Sequence, residues 1–287
     1  MLCKGIIMPE ASNPRLTNRR CPMNAYASDQ NTPSPRGLWE RLRLAGRLLA
    51  NTVLPQNCVL CSLPSGDAPV CQACAAGLPV LTGQTCPRCA LPLEPQGTDL
   101  SQTSGPLRCR DCQHHQPRFD TATAVWSYAF PIDSLIRDFK YGHHLYLGAF
   151  FGSHLAATLQ ARWQIAGDGL PDLILPMPLH PSRLKARGFN QAAEIARHTA
   201  KALRRPWSAD HLLRIHDTPS QAGLGREARW ANLRGAFACT RTLHDQHILL
   251  IDDVLTTGAS LSACADALRY AGARQIDVAV LARTPES

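Results

Sequence analysis

Two groups of residues in this 287-residue chain have types and spacings that imply chemistry. The first is four Cys-x2-Cys pairs, Cys58 with Cys61, Cys71 with Cys74, Cys86 with Cys89 and Cys109 with Cys112, all within 55 residues. Each pair presents two thiolates to one ion, and two pairs complete a tetrahedral four-sulfur zinc site with Zn–S of about 2.3 Å. Eight cysteines thus make two closed Zn2+ sites, and with no position left for water the metal is structural. Sequential pairing, the first four cysteines and then the second four, has the layout of a double zinc ribbon, although spacing alone leaves a cross-braced pairing open. Arg88, Arg108 and Arg110 adjoin the ligands and offset their charge. A zinc ion with four thiolates carries net −2, so two sites take the formal charge of the chain from +8 to +4.

The second group begins with Ile248, Leu249, Leu250 and Ile251, an apolar run expected to form a strand buried on both faces. Asp252 and Asp253 follow, then Val254, Leu255, Thr256, Thr257, Gly258, Ala259 and Ser260. Leu261, Cys264, Ala265 and Leu268 then recur at helical spacing, Gly272 is placed to stop that helix, and 276–281 reads as the next strand. A helix beginning near Ala259 aims its unpaired N–H groups into the preceding turn, which makes an anion site. Thr256, Thr257 and Ser260 add hydroxyl donors, and Gly258 permits close approach of a ligand. Two carboxylates would repel a phosphate that touched them; they suit sugar hydroxyls or a divalent ion. The expected ligand is a sugar phosphate.

Composition narrows the class. An apolar content of 45% is ample for a globular core, and no apolar run approaches the ~20 residues of a membrane span. The patch Gly5–Met8 is too short for a signal peptide, so a cytoplasmic protein is expected. Between His180 and Gly235, eleven Lys/Arg against four Asp/Glu give net +7, a solvated basic face or an attraction for polyanions.

Other elements must position these groups. Residues 1–36, proline-rich and aperiodic, are expected to be a disordered extension, as an over-called start codon would produce. Residues 38–54 read as a short basic amphipathic helix. With the cysteine pairs they define a segment 37–117, followed by an α/β domain 118–287. Within the latter, 119–129 reads as a strand, 131–140 as a short helix, 147–161 as a longer one, 172–176 as a buried parallel strand and 192–203 as a helix. The run from Pro176 to Gln191 reads as a loop: Pro176 and Pro178 set its turn, and Arg183, Lys185 and Arg187 alternate with Leu and Ala. It is expected at the same sheet edge as the acidic pair. The polar stretch 214–226 continues to Arg229 and reads as a lid whose Arg226 and Arg229 could close over phosphate.

The segment from Ile248 to Ser260 resembles the phosphoribosyl-pyrophosphate (PRPP) motif of type I phosphoribosyltransferases: four apolar residues, Asp-Asp, three residues, Thr-Gly, one residue, Ser or Thr. The resemblance implies that Asp252 and Asp253 meet ribose hydroxyls and that Thr256, Thr257, Gly258, Ala259 and Ser260 hold the 5′-phosphate. Taken with the paired cysteines, Lys140-Tyr141-Gly142, Pro176-Met177-Pro178-Leu179, Arg187-Gly188-Phe189-Asn190-Gln191, Thr218-x2-Gln221 and Arg226-x5-Asn232, the chain from about Leu54 to Arg283 is similar to the ComF family, which includes the GntX-type proteins. Met177 stands where Val is common and Leu255 where an aromatic is often seen.

The implied fold is α/β, the type I phosphoribosyltransferase fold with a mainly parallel sheet flanked by helices, preceded by a small four-cysteine zinc-ribbon domain. The implied activity is phosphoribosyl transfer from Mg2+-bound PRPP, linked to DNA uptake in competent bacteria or to the use of DNA as a nutrient. Pro178, Arg183, Lys185, Arg187 and Arg226 are the candidates for the pyrophosphate side. The alternative is a non-catalytic single-stranded-DNA-binding accessory of DNA uptake with a regulatory or vestigial PRPP site. The acceptor is not legible.

Overall fold

The computed structural model describes residues 57–93, 108–142, 144–167, 169–216, 233 and 235–285. The expectations for residues 1–36, the basic helix 38–54 and the segment containing Arg226 and Arg229 fall outside the described residues.

A four-stranded parallel sheet forms the centre, in the order β1 (Thr121–Ser127), β6 (Gln275–Arg283), β5 (His247–Leu255), β2 (Leu173–Pro176). Strands buried on both faces need no polar alternation, and β6 reads as eight buried residues in its last eight positions. On one face Leu249, Ile251, Ala279 and Leu281 pack with α3 (Ile132–Tyr141), α4 (Leu147–Ala166) and α6 (Gln191–Leu203). On the other, Ile248, Leu250, Val278 and Val280 pack with α7 (Ala259–Tyr270) and with a two-stranded antiparallel ladder, β3 (Leu212–Arg214) with β4 (Phe237–Cys239). At the amino end of the sheet, buried Asp277 lies 2.8 Å from His247 Nε2 and accepts hydrogen bonds from Thr121 and Gln275, tying three strands together.

Three expectations differ in extent or kind. Helix α4 runs five residues beyond the expected 161, to Ala166, where Gly167 in the left-handed region stops it. Strand β5 continues through the acidic pair to Leu255, because its ladder with β6 persists to Leu255 opposite Arg283. The basic loop contains a helix, α5 (Pro181–Arg187), which the alternation of charges conceals. Pro181 occupies its first turn, where a missing N–H costs nothing, His180 caps it, and Gly188 at φ 83° ends it.

The cysteine segment repeats one unit twice. In each, the first cysteine opens a tight turn: Ser62 N–H donates to Cys58 O and Ala90 N–H to Cys86 O, both at 2.8 Å, with Ser62 and Ala90 left-handed. The third cysteine of each set, Cys71 or Cys109, then precedes a five-residue helix, α1 (Gln72–Ala76) or α2 (Arg110–His114). The two units straddle the edge strand β1. Cys58, Val70 and Leu78 join the core on the α4 side, and Ala90 joins the core on the α7 side. Between them Pro79 O accepts from Ser127 N–H (2.8 Å), Pro87 O accepts from Ala122 N–H (2.9 Å), and Leu81 N–H donates to Val125 O (3.0 Å). The cysteine segment therefore occupies the edge that β1 would otherwise present to a second chain.

Zinc removal should expose that edge. We expect chelation of the purified protein to lower its unfolding midpoint by more than about 10 °C and to promote aggregation, since structural zinc contributes folding energy directly. An unchanged midpoint in protein shown to be zinc-free would refute this.

Candidate functional site

Strands β2 and β5 are parallel neighbours, so the segments leaving them emerge at one edge of the sheet. After β5 comes the turn Thr256–Gly258. Gly258 holds φ 75° as the N-cap of α7, a left-handed position that a side chain would strain, and Ser262 N–H closes the first turn on Gly258 O at 2.8 Å. The N–H groups of Ala259 and Ser260 have no intrahelical acceptor at a helix start. Thr256 is exposed, and Thr257 and Ser260 are half-buried. This is the geometry of an anion site on a 12-residue helix.

The acidic pair lies inside β5, so its two carboxylates point to opposite faces. Asp253 shares the face of Leu249 and Ile251 and is buried. Lys140 Nζ at the end of α3 meets its Oδ1 at 2.9 Å, and Gln191 Nε2 at the start of α6 donates to its Oδ2 at 2.9 Å. Burial works against the Lys140 ammonium, but the charges of Asp253 and Asp252 outweigh it and hold its pKa above the usual value. Asp252 faces the α7 side, where burial and the Asp252 charge push the Cys264 thiol up. Burial, with the Asp253 charge adding, raises the Asp252 carboxyl to about 7; the Asp253 N–H, donating to its Oδ1 at 2.8 Å, pulls the other way.

A cationic cleft of about 210 Å3 opens beside the pair, lined by Lys140, Tyr141, Arg183, Ala186 and Arg187. The helix α5 decides which cations reach it. Arg183 and Arg187 are one turn apart and both line the cleft, whereas Lys185 lies elsewhere on the helix and is exposed. Arg187 is held firmly: its guanidinium lies 5.1 Å from the Tyr141 ring centroid, and Nη1 donates to Gln191 Oε1 at 2.6 Å. Asn190 caps α6 by accepting from Ala192 N–H and donates to Met177 O. Phe189 packs at 5.7 Å from Phe139. Pro178 is buried and has no N–H to offer a ligand, so it shapes the turn.

The eight cysteines form two clusters in sequential pairing, Cys58, Cys61, Cys71, Cys74 and Cys86, Cys89, Cys109, Cys112, each with its sulfur atoms within 4.8 Å of one another. Sulfur contacts of 3.7 Å (Cys61–Cys71) and 3.5 Å (Cys89–Cys109) approach the ~3.8 Å edge of a ZnS4 tetrahedron. All-thiolate donors at this spacing fit zinc.

The structure thus brings Asp252, Asp253, Thr256, Thr257, Gly258, Ala259, Ser260, Arg183 and Arg187 to one edge. Lys185 is turned away from the cleft, and Arg226 is outside the described residues. The sequence does not single out Lys140 or Gln191 as site residues, or Tyr141 as a wall of the cleft. A lysine at the end of an amphipathic helix has no signal of its own, because its partner is more than one hundred residues away.

Two outcomes follow from the pair. Lys140→Ala leaves a buried carboxylate without its cation and should cost about 2–3 kcal/mol in urea unfolding at pH 7, with Lys140→Ala/Asp253→Asn recovering most of the loss. Equal losses in both variants would disprove the coupling. For Asp252, the folded pKa near 7 lies above the ordinary value of about 3.9, so its protonated form stabilises the fold. That contribution is present at low pH and disappears as pH rises through 7. Asp252→Asn should therefore gain melting temperature over the wild type as pH goes from 4 to 8 in ligand-free buffer; a pH-independent difference would count against it.

Comparison with known proteins extends over both halves. Residues 49–113 match the double zinc ribbon domain family and residues 226–287 the phosphoribosyl transferase domain family. The DNA utilization protein YhgH of Shigella flexneri is 29% identical over 234 residues, 80% of this chain and 98% of that protein. Competence protein F of Haemophilus influenzae is 29% identical over 178 residues, 61% of this chain and 78% of that protein. Competence protein ComFC of Streptococcus pneumoniae is 24% identical over 223 residues, 77% and 90% of the two chains. A solved purine phosphoribosyltransferase from Pyrococcus horikoshii superposes weakly, at a TM-score of 0.31 and 16% identity over 47% of this chain and 74% of that one. With a double zinc ribbon match ahead of a phosphoribosyl transferase match, and competence and DNA utilization proteins among its relatives, the chain is similar to the ComF family in both halves.

Proposed function

We propose that the chain binds Mg2+-PRPP and transfers its phosphoribosyl group in the service of DNA uptake or the use of DNA-derived material. The observation that carries this is the placement, at one sheet edge, of an anion-binding turn after β5 and a cationic cleft after β2, with the two carboxylates between them. Such a site suits a ligand with phosphate at one end, hydroxyls in the middle and a polyanion at the other. The turn Thr256–Ser260 takes the 5′-phosphate. Asp252, with its carboxylate ionised, accepts from ribose hydroxyls. Asp253 keeps Lys140 and, through Gln191, Arg187 in place for the pyrophosphate. Bound Mg2+ supplies further neutralisation of the leaving group. The reaction at C1′ has oxocarbenium character, so positioning and charge neutralisation carry the catalysis. The names of the relatives, competence and DNA utilization proteins, support the physiological setting. The cleft, with Tyr141 two-thirds exposed, would also accept a base stacked beside a phosphate, as single-stranded DNA would present.

Calorimetric titration of zinc-loaded protein with PRPP is the test. Binding should require Mg2+, and Asp252→Asn and Thr257→Val should each weaken it by about 10- to 100-fold, the worth of a hydrogen bond to a charged group. They should do so without loss of zinc. No binding with or without Mg2+ would overturn the proposal.

A further inference from the structure

The turn that closes on Gly258 is buttressed from behind, and the buttress leads to the second cysteine cluster. Arg283, the last residue of β6, is only 9% exposed. Its Nε donates to the carbonyl of Cys89 at 2.9 Å. Its Nη1 donates to the carbonyl of Leu255 at 3.2 Å and to Thr284 O and Oγ1. Leu255 is the residue immediately before Thr256, and Cys89 is a member of the second cluster. One guanidinium therefore spans a zinc knuckle and the base of the anion-binding turn. A second strut runs alongside. Arg88 donates to the carbonyls of Phe119 and Asp120, and the Phe119 ring sits beneath Gly258, within 3.7 Å of where a Cβ would stand. Arg118 N–H donates to Ser262 Oγ in the first turn of α7. The first cluster makes no such link among the described residues; Cys58, Val70 and Leu78 pack on the opposite face of the sheet.

Charge gives this arrangement its sense. A buried guanidinium needs compensation, yet the acceptors of Arg283 among the described residues are neutral oxygens. Four thiolates around Zn2+ carry net −2, and Cys89 O belongs to one of those ligand residues. What ties Arg283 to the second cluster is therefore its hydrogen bond to the Cys89 carbonyl.

We infer that Arg283 is a positioning residue for the Thr256–Ser260 turn, and that it makes the geometry of this turn depend on the second cysteine cluster and not on the first. Any consequence for PRPP affinity rests on the function proposed above; the dependence of the turn itself does not.

Hydrogen exchange of the zinc-loaded full chain, without PRPP, tests it directly. In Arg283→Gln, amides of residues 262–265, the first hydrogen-bonded turn of α7, should exchange about 10-fold faster, the effect expected on losing charge-assisted hydrogen bonds. Amides of α4 should keep wild-type rates, and both zinc ions should remain by elemental analysis. Arg283→Lys, which retains charge but cannot span both carbonyls, should show the same loosening more mildly. Cys112→Ser, which opens the second cluster, should loosen the turn, whereas Cys74→Ser, which opens the first, should leave turn exchange within about twofold of wild type. Wild-type exchange at 262–265 in Arg283→Gln, or equal loosening by the two cysteine variants, would overturn the inference. PRPP titration of the same variants then separates the two proposals: a protein that never binds PRPP defeats the proposed function, while the exchange pattern stands or falls independently.

Discussion

Asp253 is a carboxylate set almost wholly out of water near the carboxyl end of a central parallel strand, and that edge of the sheet is built around giving it partners. An uncompensated charge there would cost several kcal/mol. Lys140 supplies the cation and Gln191 the second hydrogen bond, one from the end of α3 and the other from the start of α6. Gln191 passes the constraint on to Arg187, and Arg187 leans on Tyr141, next to Lys140 in sequence. The ring of contacts closes on itself. Its consequence is that Lys140 and Arg187 are not free side chains on a basic surface but parts fitted, directly or through Gln191, to a buried acid.

The same chain of contacts explains two motifs that are opaque as strings. In Lys140-Tyr141-Gly142 the lysine pairs with Asp253 and the tyrosine supports Arg187. In Arg187-Gly188-Phe189-Asn190-Gln191 every residue serves a different purpose. Arg187 is a cleft cation, Gly188 the left-handed stop for α5, Phe189 an apolar anchor, Asn190 the cap of α6, and Gln191 a hydrogen-bond donor to Asp253. Met177 also finds a reason. Its Sδ lies 3.4 Å from the buried Cys264 Sγ of α7, so a long flexible side chain fills the gap between the turn after β2 and that helix.

What is legible in the sequence is what is local. The parallel strands, the turn after β5 with its glycine, and α7 follow from runs and periods of a dozen residues or fewer. The four-sulfur clusters follow from spacing, because a Cys-x2-Cys pair is its own turn. Legibility ends where a partner is distant. The small β3–β4 ladder pairs two three-residue strands too short to show alternation. The helix α5 is hidden because Pro181 and Gly188 mark a boundary from either side, and only the seven residues Pro181–Arg187 are helical. The end of β5 is obscured for a related reason. Charged residues normally end a buried strand, and Asp253 does not because Lys140 comes to it from another element.

The two ends of the sheet differ in how their buried acids are satisfied. Both ends bury an aspartate. At the amino end Asp277 is met by His247, Thr121 and Gln275, all from the strands themselves, and the network is closed. At the carboxyl end the partners of Asp253 come from helices α3 and α6, and the adjoining Asp252 has its carboxyl raised to about 7 by burial beside a like charge. A group so placed is held at the expense of stability whenever it is ionised, and a ligand that offers it hydroxyl donors relieves that cost. The strained member of the acidic pair is the one on the α7 side, facing the helix that follows the turn after β5. The satisfied member is the one facing the cations. Strand alternation, which puts consecutive residues on opposite faces, divides the labour: one carboxylate organises the protein, and its neighbour is the one that the proposed ligand would meet.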